Sequence, residues 1–190
     1  MATLNQLIMR RTKEQLSGNW LNAALATLIY SVLIGVASFT YVGQILIVGP
    51  LTAGYFLYMA SLLYQKQSDL NKLFAGFHNF VNTMVAGLLQ SLLVAIGCIL
   101  LIVPGIILYC GLSMTYLILI DRPELSGIDA LQESWRMMNG HKMEFFCLNC
   151  RFIGWSLLCC LTFGIGFLWL SPYMYGAYCN FYRNLSYGTF

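Results

Sequence analysis

Charge placement constrains this chain more than any other feature. Nine of its ten Lys and Arg residues fall in four short clusters: Arg10, Arg11 and Lys13; Lys66 and Lys72; Arg122, Arg136 and Lys142; and Arg183 alone. No charged residue lies between Glu14 and Lys66, between Lys72 and Asp121, or between Arg151 and Arg183. One membrane crossing takes about 20 apolar residues. Each of the first two gaps therefore holds a crossing out and a crossing back, which leaves every cluster on one side. Lys and Arg in short loops mark the cytoplasmic side. The expected fold is all-α, a polytopic membrane bundle of about six transmembrane helices in three hairpins. Its expected location is the cell membrane, with both termini cytoplasmic.

Composition excludes a water-soluble fold. Hydrophobic residues make up 59% of the 190 and charged residues 9%, against about 25% charged in soluble domains. One integral membrane domain over residues 1–190 is expected. The net charge of +3 sits where anionic headgroups account for it. No run of Lys and Arg interleaved with aromatics suggests a nucleic-acid surface. The apolar run from Trp20 to Val42 is longer than a secretory signal's, and Ala24-Leu25-Ala26 opens the run instead of following it. An uncleaved first crossing is the expectation.

The crossings are expected at 20–42, 45–65, 79–97, 99–120, 142–162 and 167–183. In each hairpin a Gly precedes a Pro: Gly43 and Pro50, Gly97 and Pro104, Gly166 and Pro172. Placing the turn at the Gly puts each Pro in the early turns of the returning helix, where amides lack intrahelical partners. The hairpins also resemble one another. Gly18 and Gly140 each stand 32 residues before a Pro, and Gly76 stands 28 before Pro104. This is a weak three-fold repeat over 1–65, 66–120 and 121–190. Internal symmetry of this kind is common among transporters, and duplication of a stable hairpin leaves the same trace.

A short segment mixing charges with apolar residues opens each repeat. In the third, Ser126 can cap a helix with Asp129 answering the first-turn amides. Ile128, Leu131, Trp135 and Met138 then form one stripe, and Asn139-Gly140 ends it. That stripe lies either on the cytoplasmic headgroups or on the bundle's own end. The second segment, with Leu73, Phe74, Phe77 and Phe80, is shorter and aromatic. The first, residues 2–17, is basic and only loosely periodic.

Arg151 is the leading candidate for chemistry. It falls about nine residues into the fifth crossing, where a guanidinium costs at least about 2.5–3.5 kcal/mol unless paired or hydrated. Glu144 is two helical turns earlier; Asn149, Gln44 and Gln90 are the other polar candidates at that depth. Two readings are open. Arg151 holds an anionic group in a polar cavity, or it pairs with Glu144 or carbonyl oxygens inside the bundle and fixes packing. His141, Lys142, Trp135 and Trp20 read as interface anchors, with Lys142 snorkelling to the headgroups. His78 reads the same way.

The seven cysteines read as small buried hydrophobes. Cys147 and Cys150 have metal-pair spacing, but a zinc site takes four ligands and no second pair follows. No His-Glu-x-x-His, G-x-S-x-G or Walker lysine loop occurs. Neither an enzymatic activity nor a cofactor is expected.

With these motifs in view, the chain resembles domain-of-unknown-function family 975, a family of bacterial integral membrane proteins. The resemblance rests on Gly18-Asn19-Trp20, Gly49-Pro50 with Gly54, Leu73-Phe74 and Gly76-Phe77. It continues through Val103-Pro104-Gly105-Ile106-Ile107, Ser113-Met114, Tyr116, and Asp121 with Pro123. Its densest part is Met138, Gly140-His141-Lys142, Phe152-Ile153-Gly154-Trp155, Gly164-Ile165-Gly166 and Pro172-Tyr173. Arg151 departs from the family pattern, which has a small uncharged residue there. The resemblance implies a membrane protein and carries over no functional residue. Two functions stand as expectations. One is a non-enzymatic, accessory or envelope-associated protein acting through lipids or a partner protein. The alternative is a small transporter or channel for an anionic or amphipathic solute. Expected partners are the bilayer, a membrane or peripheral protein, and a second copy of the chain.

Overall fold

The computed structural model describes the backbone of residues 4–37, 41–66, 68–162 and 164–188 and, outside 41–46 and 100, their side chains. Its elements are helical. In chain order they are α1 (Leu4–Leu16), α2 (Trp20–Ala37), α3 (Tyr41–Gln65), a 3₁₀ segment (Leu70–Asn79) and α4 (Phe80–Leu100). Then come α5 (Ile102–Leu112), α6 (Thr115–Asp121), α7 (Gly127–Met137), α8 (Lys142–Leu161) and α9 (Phe167–Tyr187). Among the described residues, a short element, a long helix and a further helical stretch thus follow one another three times.

Among the described residues, five stretches are long and apolar enough to cross a membrane: Trp20–Ala37, Ile47–Gln65, Leu70–Ile99, Ile102–Asp121 and Lys142–Leu161. They divide into an inner and an outer layer. The α3 stretch is 67% buried, against 22% for α2 and 17% each for the α4 and α8 stretches. The outer helices present Leu21, Val36, Val81, Leu92, Leu157 and Leu161 to the surroundings. An apolar surface of that extent does not suit water. The sixth expected crossing, α9, has the length but a different composition. Tyr173, Tyr175, Tyr178, Asn180 and Tyr182 run through it, and Gly176 to Tyr182 are buried without interruption. A helix enclosed by its neighbours needs internal partners more than lipid solubility.

Rings close the centre. Tyr55 of α3 stacks on Tyr30 of α2 at 4.6 Å between centroids and meets Tyr175 of α9 edge-on at 4.8 Å. Phe56 meets the same Tyr175 at 4.9 Å. The Tyr55 hydroxyl is satisfied by Thr27 at 2.7 Å, as a buried phenol requires.

Several expectations need correction. α3 begins at Tyr41, so Gly43 lies inside a helix and the first turn falls outside the described residues. The second turn is at Leu101, extended in backbone and following Gly97 by four residues. Pro104 is then the third residue of α5, as expected of a proline in an early turn. Pro50 and Pro172 lie deeper, inside α3 and α9. The third turn ends at Gly166, the cap of α9.

The second opening segment does not lie flat across one end of the bundle. It runs along α3, backbone on backbone. A Cβ on Gly54 would overlap the Leu73 carbonyl, and one on Gly76 would overlap that of Pro50. Glycine is required at both places by this approach. Leu73 is buried by it, whereas Phe74 and Phe77 face outward.

α7 starts as expected. The Ser126 hydroxyl accepts from the Asp129 amide at 3.2 Å and donates to the Asp129 carboxylate at 2.6 Å. Its packed face is rotated from the expected stripe, however. Gly127, Ala130, Leu131 and Ser134 are buried on the bundle, while Ile128 and Trp135 are exposed. Small residues won that face because α4 comes close: a Cβ on Gly127 would meet the Asn82 carbonyl. Ser134 also bridges the interruption between α5 and α6. It donates to the Gly111 carbonyl at 2.9 Å and accepts from the Met114 amide at 3.2 Å.

Candidate functional site

Polar side chains converge at the end of the bundle where α3 and α6 finish. There the C-terminal turns of α3, α6 and α9 enclose a cavity of about 380 Å3, lined by Tyr64, Leu117, Asp121, Tyr182, Arg183 and Tyr187 among others. Asp121 is the last residue of α6, where a helix dipole disfavours a carboxylate. Two phenols compensate: Tyr182 donates to it at 3.0 Å and Tyr187 at 3.1 Å. The hydrogen bond to Asp121, and then its charge, hold the Tyr187 phenol above its usual range. Across the cavity, the Arg183 guanidinium lies 4.2 Å above the Tyr64 ring, within cation–π range. One anionic and one cationic group thus face a shared apolar floor.

The Tyr64 hydroxyl ties this cavity to a buried network. It donates to Asn180 at 3.3 Å, and the Asn180 amide donates to Thr12 at 2.9 Å and Gln15 at 2.7 Å. Asn5, Ile8, Thr12 and Leu16 form the packed face of α1. Half of that face is polar, which is why its apolar periodicity is faint. Asn5 donates to the Glu144 carbonyl at 2.9 Å, and Tyr173 donates to the Met9 carbonyl at 3.1 Å. α1 therefore lies across α8 and α9, clamped at both.

The expected site residues are not brought together. Arg151 is on the outer face of α8 and, among the described residues, makes no hydrogen bond or ion pair. Its expected partner Glu144 instead meets His141 at 3.0 Å. Asn149 points inward and accepts from Tyr178 at 2.6 Å. Gln90 is half-buried on α4 with its enclosed Oε1 unpartnered, and the side chain of Gln44 lies outside the described residues. Of the anchors, Lys142 and Trp135 form one unit, the ammonium 3.1 Å from the ring centroid. Trp20 is half-buried 6.5 Å from Tyr173. Cys110 and Cys179 are buried as expected, but Cys98, Cys147, Cys150 and Cys160 face outward.

Register settles the level of Arg151. α8 and α9 run antiparallel through Phe145–Phe181, Asn149–Tyr178 and Phe152–Tyr173. Arg151 is thereby level with the Tyr173–Tyr178 stretch, which is also where Thr12 of α1 presses on Gly176.

Asp121, Tyr182, Tyr187, Tyr64 and Asn180 were not legible as a site. The available signal was the tyrosine run of α9, too polar for a helix exposed to lipid.

The family model described as Protein of unknown function (DUF975) matches residues 92–188. The chain belongs to this family. No curated protein and no solved structure matches the chain. The family match spans the second half of α4 through α9, and so includes Asp121, Ser134, Asn180 and Tyr182 but none of α1.

Proposed function

We propose that this is a non-enzymatic integral membrane protein whose charged end is cytoplasmic and serves as a docking platform for a partner protein. The observation that carries it is the separation of polar and closed regions. The core between α2, α3 and α9 is filled by the rings of Tyr30, Tyr55, Phe56 and Tyr175. The cavity bearing Asp121 and Arg183 opens at the charged end instead. On this reading α1 lies in the headgroup layer. Arg151, level with α1, reaches that layer by snorkelling and needs no partner inside the bundle.

Transport is the second reading, favoured by the interrupted crossing at Ser113–Met114, since transporters bind solutes at broken helices. Ser134 already occupies both backbone groups that such a site would use. Purification in native lipid nanodiscs separates the two. A stoichiometric partner retained by the wild type and lost in the folded Asp121→Asn, Arg183→Ala double variant supports docking. Solute flux in proteoliposomes, abolished by Ser134→Ala, overturns it. Orientation is read by an impermeant maleimide on intact cells, in a background lacking the outward-facing cysteines. Leu101→Cys is labelled and Ala2→Cys is not; labelling of Ala2→Cys sinks the cytoplasmic assignment.

A further inference from the structure

Three of the four tryptophans gather in one place, on the opposite side of α9 from the core rings. A groove of about 530 Å3 between α1, α2, α8 and α9 is lined by Trp20, Trp155, Trp169, Leu170, Tyr173 and Lys13. Trp155 and Trp169 are 56% and 50% exposed, so their rings are walls and not filling. The volume falls in the range of small-molecule sites, about 300–1,000 Å3. Tyr173 forms the floor with its hydroxyl already committed to Met9.

The one charged group in this lining is unpaired. Among the described residues the Lys13 ammonium has no hydrogen bond or ion pair, and Glu14 beside it is held by Arg10 at 3.0 Å. The same groove reaches Trp155, one turn beyond Arg151 along the apolar α8 stretch. An unpaired ammonium beside a bilayer surface attracts an anionic headgroup. Indole rings with free N–H groups suit the ester level of a bilayer, where one end of a molecule is apolar and the other wet. Lysine, half-exposed indoles and an apolar wall match the parts of one molecule in order: phosphate, glycerol esters, acyl chain.

We propose that this groove binds an anionic phospholipid, its phosphate held by Lys13 and its glycerol and first acyl segments lying between Trp155 and Trp169. The site is distinct from the Asp121 cavity and rests only on the membrane part of the reading above. A bound lipid would pin α1 to hairpin three from outside, as Asn180 pins it from within.

Tryptophan fluorescence tests this directly, since three of the four emitters line the groove. The full chain is reconstituted in phosphatidylcholine vesicles containing increasing dibrominated phosphatidylglycerol or dibrominated phosphatidylcholine. The expected result is saturable quenching with about fivefold preference for the anionic lipid, the effect of one lysine beside an anionic surface. Lys13→Gln abolishes the preference, Lys13→Arg retains it, and excess inorganic phosphate does not compete. Lys13 is exposed, so both variants fold. Equal quenching by the two lipids, or a preference that survives Lys13→Gln, overturns the proposal. Displacement by inorganic phosphate also overturns it, making the groove a phosphate site. No quenching by either lipid overturns membrane insertion itself.

Discussion

α8 and α9 are two arms of one hairpin and have opposite characters. α8 is apolar and turned outward, yet carries an unpaired arginine. α9 is rich in tyrosine and buried, and nearly every polar group along its inner half has a partner. In water the arms would exchange places. Where the surroundings are apolar, burial no longer selects for hydrophobicity, and small or hydrogen-bonding residues take the inside. Hydropathy therefore finds α8 on the periphery and passes over α9 inside.

The sharpest way to break that contrast uses two glycines. Gly54→Ala on buried α3 places a Cβ on the Leu73 carbonyl. It is expected to cost about 3 kcal/mol, the upper end of overpacking penalties, and to lower the thermal midpoint in detergent by the largest amount of any variant here. Asn180→Leu comes next. It removes three hydrogen bonds and strands the Tyr64 hydroxyl and the Gln15 carbonyl, while Thr12 keeps its bond to Ile8, for a loss of about 1–3 kcal/mol in a denaturant series. If Asn180→Leu is as stable as the wild type, polar partnering does not hold α9.

A smaller effect is expected at the rim. Because Asp121 raises the Tyr187 phenol, the stabilisation from this contact is complete below the ordinary phenol range, about 10. It is lost as pH rises through the raised value. Asp121→Asn returns Tyr187 to the ordinary range, seen in the ultraviolet titration of its phenolate. The smallest effects belong to α8. Arg151→Leu should change stability by no more than about 0.5 kcal/mol. Gly154→Ala, with nothing within 4 Å of the added Cβ, should raise it by up to about 1 kcal/mol through helix propensity. A large loss at Arg151→Leu would mean that a bound anion contributes there.

What was legible in the sequence follows the same division. The uncharged gaps located the long helices, and Ser126 with Asp129 located the start of α7, because length and capping are local properties. The inward side of each helix was not legible. The α7 stripe was open to the headgroups or the bundle end; Leu131 and Met138 are buried while Ile128 and Trp135 face outward, because the close approach of α4 selects Gly127, Ala130 and Ser134. One open reading paired Arg151 with Glu144 on helical spacing, but Glu144 meets His141 instead and Arg151 is exposed on the outer face. Contacts such as Asn180 with Thr12 join residues 168 apart, and no periodicity records them.

The Ser134 bridge has a bearing on the order of assembly. The interruption at Ser113–Met114 belongs to the second hairpin, but the side chain that satisfies it comes 20 residues later. On the reading of this chain as a membrane protein, hairpin two is complete in sequence but incomplete in bonding before α7 is made. An open backbone group in hydrocarbon costs several kcal/mol. On the membrane reading, the middle hairpin completes its bonding only when α7 is in place.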